Sequence, residues 1–136
     1  MIAHAKVHLV DGLTMAGMAE SKHWLTLDTV PEYGGNNGAP LPLEALLISA
    51  GSCLGMFIAG MFRKHQKNLA RLVIDVVGEK SDGRVLCLTK LTLTCSIVSA
   101  DADQVFLTDI LAKAPERCPV LVTLGQGLKI IVQGEL

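Results

Sequence analysis

No stretch of this sequence is strongly basic, and nowhere do aromatic side chains alternate with lysines and arginines. Twelve basic and thirteen acidic residues are instead spread along the chain. The electrostatic footprint of a nucleic-acid interface is therefore missing, and no nucleic-acid partner is expected. The chain also lacks a phosphate-binding loop, a dinucleotide fingerprint and a nucleophile elbow, so no cofactor is expected. No pair of cysteines or histidines has the close spacing of a zinc site, and no metal is expected. Four cysteines without dense, regular spacing do not make a disulfide scaffold. The first residues, Met1-Ile2-Ala3-His4-Ala5-Lys6-Val7-His8, alternate polar and apolar side chains where a secretory leader would carry an apolar block. A reducing cytoplasm is the compartment to which these absences point. With no internal repeat, low-complexity tract or linker, residues 1–136 are expected to form a single domain.

What the chain has in abundance is apolar side chains. They make up 50% of its residues, and the mean hydropathy is positive at +0.44, which is high for a small soluble monomer. A large interface between copies is the ordinary outlet for such a surplus, so a homo-oligomer is expected. The surplus is concentrated in residues 45–62, which carry no charge and hold Cys53 in their middle. Glu44 precedes the run and Arg63-Lys64 closes it. The run reaches the length of a membrane span. Ser49, Gly51, Ser52, Gly55 and Gly60 dilute it, however, and it stands between stretches that read as strands. The centre of a protein core asks for the same all-round apolar helix. A core helix, with no membrane partner, is the reading adopted.

Alternation over residues 4–10 and 14–19 predicts two strands joined at Asp11-Gly12, and residues 23–28 a third. Residues 29–41 hold Pro31, Gly34, Gly35, Asn36, Asn37, Gly38 and Pro40, a loop long enough to suggest a part in function. Pro42 suits a first helical turn and Glu44 in that turn favours the helix dipole. Leu43, Leu46, Leu47, Ala50, Leu54, Phe57, Ile58 and Met61 then recur at helical spacing and carry the helix to about residue 66. Residues 72–79 and 84–98 read as strands turning at Ser81-Asp82-Gly83. Asp101 is placed as the cap of a helix running to about residue 116, with Val105, Ile110, Leu111 and Ala114 inside. Cys118 then caps a short helical turn begun by Pro119, and residues 129–133 are a closing strand.

The cysteines admit more than one use. Cys87 and Cys95 lie eight apart in a predicted strand, share a face with Thr89, Leu91 and Leu93, and read as small core hydrophobes. Cys53 lies beside Leu46, Ala50 and Phe57 on the helix, where apolar surroundings raise a thiol's pKa, so composition alone leaves it either inert or reactive. Cys118 stands at a helix N-terminus beside Arg117, and both favour a thiolate. Among the histidines, His65 suits the dipole in the last turn of the long helix. Lys6, between His4 and His8 on one strand face, argues against a cation site there.

Two segments carry a resemblance. Ala39-Pro40-Leu41-Pro42-Leu43-Glu44-Ala45-Leu46-Leu47-Ile48-Ser49-Ala50-Gly51-Ser52-Cys53 is similar to the OsmC/Ohr family signature around its reactive cysteine. Cys118-Pro119-Val120 with Thr123-Leu124 resembles the family's second signature, the Cys-Pro-Val segment. The opening Lys6-Val7-His8-Leu9-Val10-Asp11-Gly12-Leu13-Thr14 is similar to the small OsmC-related branch, and the likeness runs in order along essentially the whole chain. The resemblance implies an α+β, OsmC-like fold in which a long buried central helix packs on antiparallel sheets within an intertwined homodimer. It implies that Cys53 is the peroxidatic thiol and Cys118 the resolving one. In peroxide-reducing members a thiolate attacks an organic hydroperoxide, releases an alcohol and becomes a sulfenic acid. The second cysteine condenses with it to a disulfide, which a dithiol reductant reopens.

The chain also departs from the family's pattern. The peroxidases pair an arginine on the N-terminal strands with a glutamate ten residues before the reactive cysteine. Here the first arginine is Arg63, the tenth position before Cys53 is Leu43, and Glu44 is nine before. One helical step turns about 100°, so Glu44, kept as a candidate site residue, points elsewhere than the family's glutamate. Lys6, Lys22, His23 or Arg71 of the partner subunit are candidate replacements for the arginine. Three functions stay open. The first is reduction of organic hydroperoxides in oxidative-stress defence. The second is a thiol protein for redox sensing or disulfide exchange without efficient peroxide turnover. The third is a dimeric module that binds an apolar small molecule and keeps its cysteines inert.

Overall fold

A computed structural model describes residues 1–136 as two compact units, Met1–Leu46 and Leu47–Leu136. In the first unit β1 (Ala5–Asp11), β2 (Thr14–Ala19) and β3 (Trp24–Leu27) form an antiparallel sheet in that order. Gly12 at φ +53° opens the two-residue turn between Asp11 and Thr14, a backbone setting that glycine adopts without penalty. The register aligns Val7 with Gly17 and Leu25, and Leu9 with Met15 and Leu27, on one face. Lys6, Met18 and Trp24 align on the other. All seven residues of β1 are exposed, so neither face of that strand is covered within the chain.

The loop after β3 is held from inside by Asp28, the one buried polar residue of the chain. Its carboxylate accepts the backbone N–H groups of Thr29 at 2.8 Å, Asn36 at 3.2 Å and Gly38 at 2.9 Å. Its own N–H donates to the Pro40 carbonyl at 3.0 Å, which ties the two ends of the loop together. A single 3-10 turn, Pro31–Tyr33, lies between.

The second unit takes up the rest of α1 (Pro42–Lys64), with β4 (Arg71–Lys80), β5 (Leu88–Val98), α2 (Gln104–Arg117), α3 (Pro119–Leu124) and β6 (Lys129–Glu135). The α+β class holds, with one difference from wholly antiparallel sheets. β4 and β5 are antiparallel, but β6 pairs parallel to β5, because α2 and α3 intervene as a crossover of the kind parallel neighbours need. Ile74, Cys95 and Gly134 stand side by side across the sheet. Above them, Gly51 and Gly55 of α1 rest on Leu72, Ile74 and Val76, and Leu111 of α2 rests on Gly134. Leu91, Leu93, Cys95 and Ile97 of β5 meet Ala50, Leu54, Ile58 and Phe62 of α1 and Leu107, Ile110 and Ala114 of α2 in the core. Phe62 and Phe106 close one end edge to face, with ring centres 5.2 Å apart.

Four local expectations change. β5 starts at Leu88, leaving Cys87 outside the strand and exposed. Ser81 takes up Cys87 instead, the Cys87 N–H donating to Ser81 Oγ at 3.2 Å and the Ser81 N–H to the Cys87 carbonyl at 2.8 Å. Asp103, not Asp101, caps α2 by accepting from the Phe106 N–H at 2.8 Å. The Asp101 carboxylate is engaged by Asn68 N–H and the Ser99 hydroxyl. Val105, in the first turn, is exposed. Finally, α1 is buried along one stripe only: Ile48 is 57% and Met56 75% exposed on its other side. By length and composition alone α1 is also long and apolar enough to cross a membrane.

Candidate thiol site

Cys53 sits mid-way along α1, on the border between its buried stripe and its exposed side. Cys118 is the single residue between α2 and α3, held by its N–H donating to the Ala114 carbonyl at 3.0 Å. Pro119 starts α3 at once, so the direction of the Cys118 side chain is fixed by two helices. The thiol does not cap α3. It is turned to α1, with Sγ 3.9 Å from the Cys53 carbonyl oxygen, a long S–H···O contact. The two cysteines that are 65 positions apart in sequence are thus brought together.

Electrostatics at Cys118 run against the sequence expectation. Burial, then the charge of Cys53 and hydrogen bonding with it, push the Cys118 thiol up to about 12. The helix terminus and Arg117, which is exposed, do not offset the loss of water around the sulfur. Burial likewise pushes Cys95 up to about 11, in keeping with a core hydrophobe. The exposed Cys87 Sγ lies 3.3 Å from Ser81 Oγ.

An apolar groove of about 460 Å³ runs between α1 and β4, lined by Leu47, Ile48, Ser52, Leu72, Ile74 and Val76 among others, and Cys53 is not among its lining residues. Glu44 is occupied at the start of α1, where Oε2 accepts the Leu41 N–H at 2.9 Å. This is the backward half of a capping box and answers the N-terminal position of the residue without any contact to a thiol. Of the candidate cations, Lys6, Lys22 and His23 lie in the first unit and Arg71 opens β4, all exposed. No three His, Cys, Asp or Glu side chains converge in a way that could hold a metal ion. Sequence reasoning singled out the loop at residues 29–41 but missed Asp28, which holds it. An aspartate followed by a Gly/Asn-rich stretch is the available signal, because that side chain binds nearby backbone N–H groups.

The family model for OsmC-like protein matches residues 34–133, which include Cys53, Cys118 and the part of the loop from Gly34 to α1. Protein YhfA of Escherichia coli K12 is 25% identical over 129 residues, 93% of this chain and 92% of its own. An OsmC-like protein of Mycoplasma pneumoniae shares the fold with a TM-score of 0.82 at 22% identity, covering 100% of this chain and 97% of that one. An organic hydroperoxide resistance protein OsmC from Legionella pneumophila does so with a TM-score of 0.72 at 19% identity, covering 100% and 98%. With the matched segment spanning most of its length, the chain belongs to the OsmC-like protein family.

Proposed function

We propose that this protein reduces organic hydroperoxides with Cys53 as attacking thiol and Cys118 as resolving thiol. Family membership and the hydroperoxide-resistance neighbour support a peroxide-related redox role. The observation that carries the finer reading is the Cys118 thiol directed at Cys53 from a buried site. The Cys53 thiolate attacks the terminal oxygen of R–O–O–H, the O–O bond breaks, and the alkoxide leaves as alcohol after taking a proton. Cys53 is then a sulfenic acid. Cys118 attacks its sulfur, water leaves, and the S–S bond forms at about 2.05 Å after the side chains rotate together. A dithiol reductant restores both thiols by exchange, which fits a reducing cytoplasm. While Cys53 is an anion its charge helps hold the proton on Cys118. Once Cys53 is a neutral sulfenic acid that contribution vanishes, so the resolving thiol ionises more readily after the first step than before it.

The acting species is a homodimer in this reading. The single chain leaves Val7, Leu9, Leu25, Ile48 and Met56 well exposed, and apolar surface in such amount marks an interface. Consumption of cumene hydroperoxide in the presence of a dithiol tests the proposal. Wild type is expected to consume it steadily and Cys53→Ser to fall to the uncatalysed rate; equal consumption by both would end the enzymatic reading. A second reading, disulfide exchange or sensing without efficient turnover, is favoured by one observation: the Glu44 carboxylate is taken up by the Leu41 N–H at 2.9 Å at the start of α1 rather than by a cation near the thiols. It predicts a Cys53–Cys118 disulfide under mild oxidant together with slow peroxide consumption.

A further inference from the structure

We infer a binding site for a small organic anion with an apolar body on the face of the first sheet that carries Lys6. Alternation along β1 puts Lys6 and His8 on that face, His4 stands just ahead of the strand on the same depression, and the register sets Lys6 beside Met18 and Trp24. The turn between β2 and β3 adds Lys22, held at φ 64° with its N–H donating to the Ala19 carbonyl at 3.1 Å. These residues, with Glu20, surround a depression of about 300 Å³. The Trp24 ring forms one wall, tilted 59° to the His8 ring at 6.2 Å between centres.

The charges of this cluster are unspent. The chain's ion pairs are Lys90–Glu79 and Lys113–Asp109, so neither Lys6 nor Lys22 has a carboxylate within 4.0 Å, Glu20 included. The one cation–π contact is Lys67 over Phe106, so neither ammonium is taken up by Trp24. Two free ammonium groups and two imidazoles against one carboxylate attract a negative charge. A half-exposed indole and a methionine offer apolar surface beside it. A carboxylate with a flat apolar body satisfies both halves; an inorganic anion satisfies one, and a neutral amide of the same body only the other. The inference is independent of the thiol chemistry, for it uses none of the cysteines.

Trp24 is the only tryptophan, so the site carries its own reporter. The full chain is titrated with phenylacetate, phenylacetamide and inorganic phosphate while indole fluorescence is followed. The expected result is a saturable change with phenylacetate at millimolar concentrations or below, and affinity at least about tenfold weaker for the other two. Lys6→Gln and Lys22→Gln are each expected to weaken phenylacetate binding at least about fivefold, because each removes one ammonium. Lys80→Gln, a loss of the same charge in the other sheet, is expected to leave it unchanged. The inference is overturned by absence of a saturable change, by equal response to the amide or phosphate, or by an equal loss in Lys80→Gln.

Discussion

Cys118 keeps its proton to about pH 12 because burial removes the water that would solvate a thiolate, and a second sulfur beside it adds charge of the same sign. At pH 8 a thiol of that kind is ionised in only about one molecule in ten thousand. Iodoacetamide at pH 8 is therefore expected to label the exposed Cys87 at least about a hundredfold faster than Cys118 or Cys95, read by peptide mass spectrometry. Equal labelling of Cys87 and Cys118 would contradict the desolvation argument. Asp28 shows the opposite sign. Backbone N–H groups of Gly38, Thr29 and Asn36 and the Thr14 side chain hold its carboxyl below the usual carboxylate range, with burial only partly opposing them. A depressed carboxyl stabilises the fold above its unfolded value near 4, and that contribution is lost as pH falls through the folded value. Thermal midpoints between pH 7 and 3 are expected to fall more steeply for wild type than for Asp28→Asn, which starts lower; parallel curves would contradict it. The sequence shows both cysteines, but not which is buried. Arg117 and the start of α3 are visible there, whereas the desolvation that outweighs them depends on packing brought from 65 residues away.

Among the elements, β6 depends on a close approach. A Cβ on Gly134 would stand 2.8 Å from Leu111 Cδ1 and 3.0 Å from the Cys95 carbonyl oxygen and Cβ. Gly134→Ala is expected to cost about 1–3 kcal/mol, since part of what it meets is backbone that cannot rotate aside. Gly127→Ala, with nothing within 4 Å, is the control and should change little. Urea midpoints check both, and equal midpoints would show that α2 does not rest on β6 as described. Periodicity exposed the elements well: α1, β2 and the first hairpin lie within a residue or two of their expected bounds. It failed where side chains redirect the backbone. Ser81 takes the Cys87 N–H and shortens β5, and Asn68 with Ser99 occupies Asp101 so that Asp103 caps α2. Both are contacts between residues whose meeting the local pattern does not encode.

For the molecule as a whole, the apolar surplus legible in composition leaves large side chains exposed, among them those on the Val7–Leu25 face of the first sheet and the Ile48–Met56 side of α1. Proposed to be dimer surface, they make a discriminating case of Val7, which is 63% exposed in the single chain. In a monomer Val7→Asp would stay within about 0.5 kcal/mol of wild type. In the proposed dimer it is expected to lower the thermal midpoint and shift sedimentation from twice 14.5 kDa toward 14.5 kDa. A wild type that sediments as a monomer at micromolar concentration would contradict the proposed dimer. The chemistry itself is tested most directly by treating the reduced protein with one equivalent of cumene hydroperoxide and mapping its peptides without reduction. A linked pair of peptides carrying Cys53 and Cys118, short of two hydrogens, is expected, with cumyl alcohol released in equal amount. An unchanged Cys53, or a Cys53 oxidised beyond the sulfenic acid while Cys118 stays free, would contradict it.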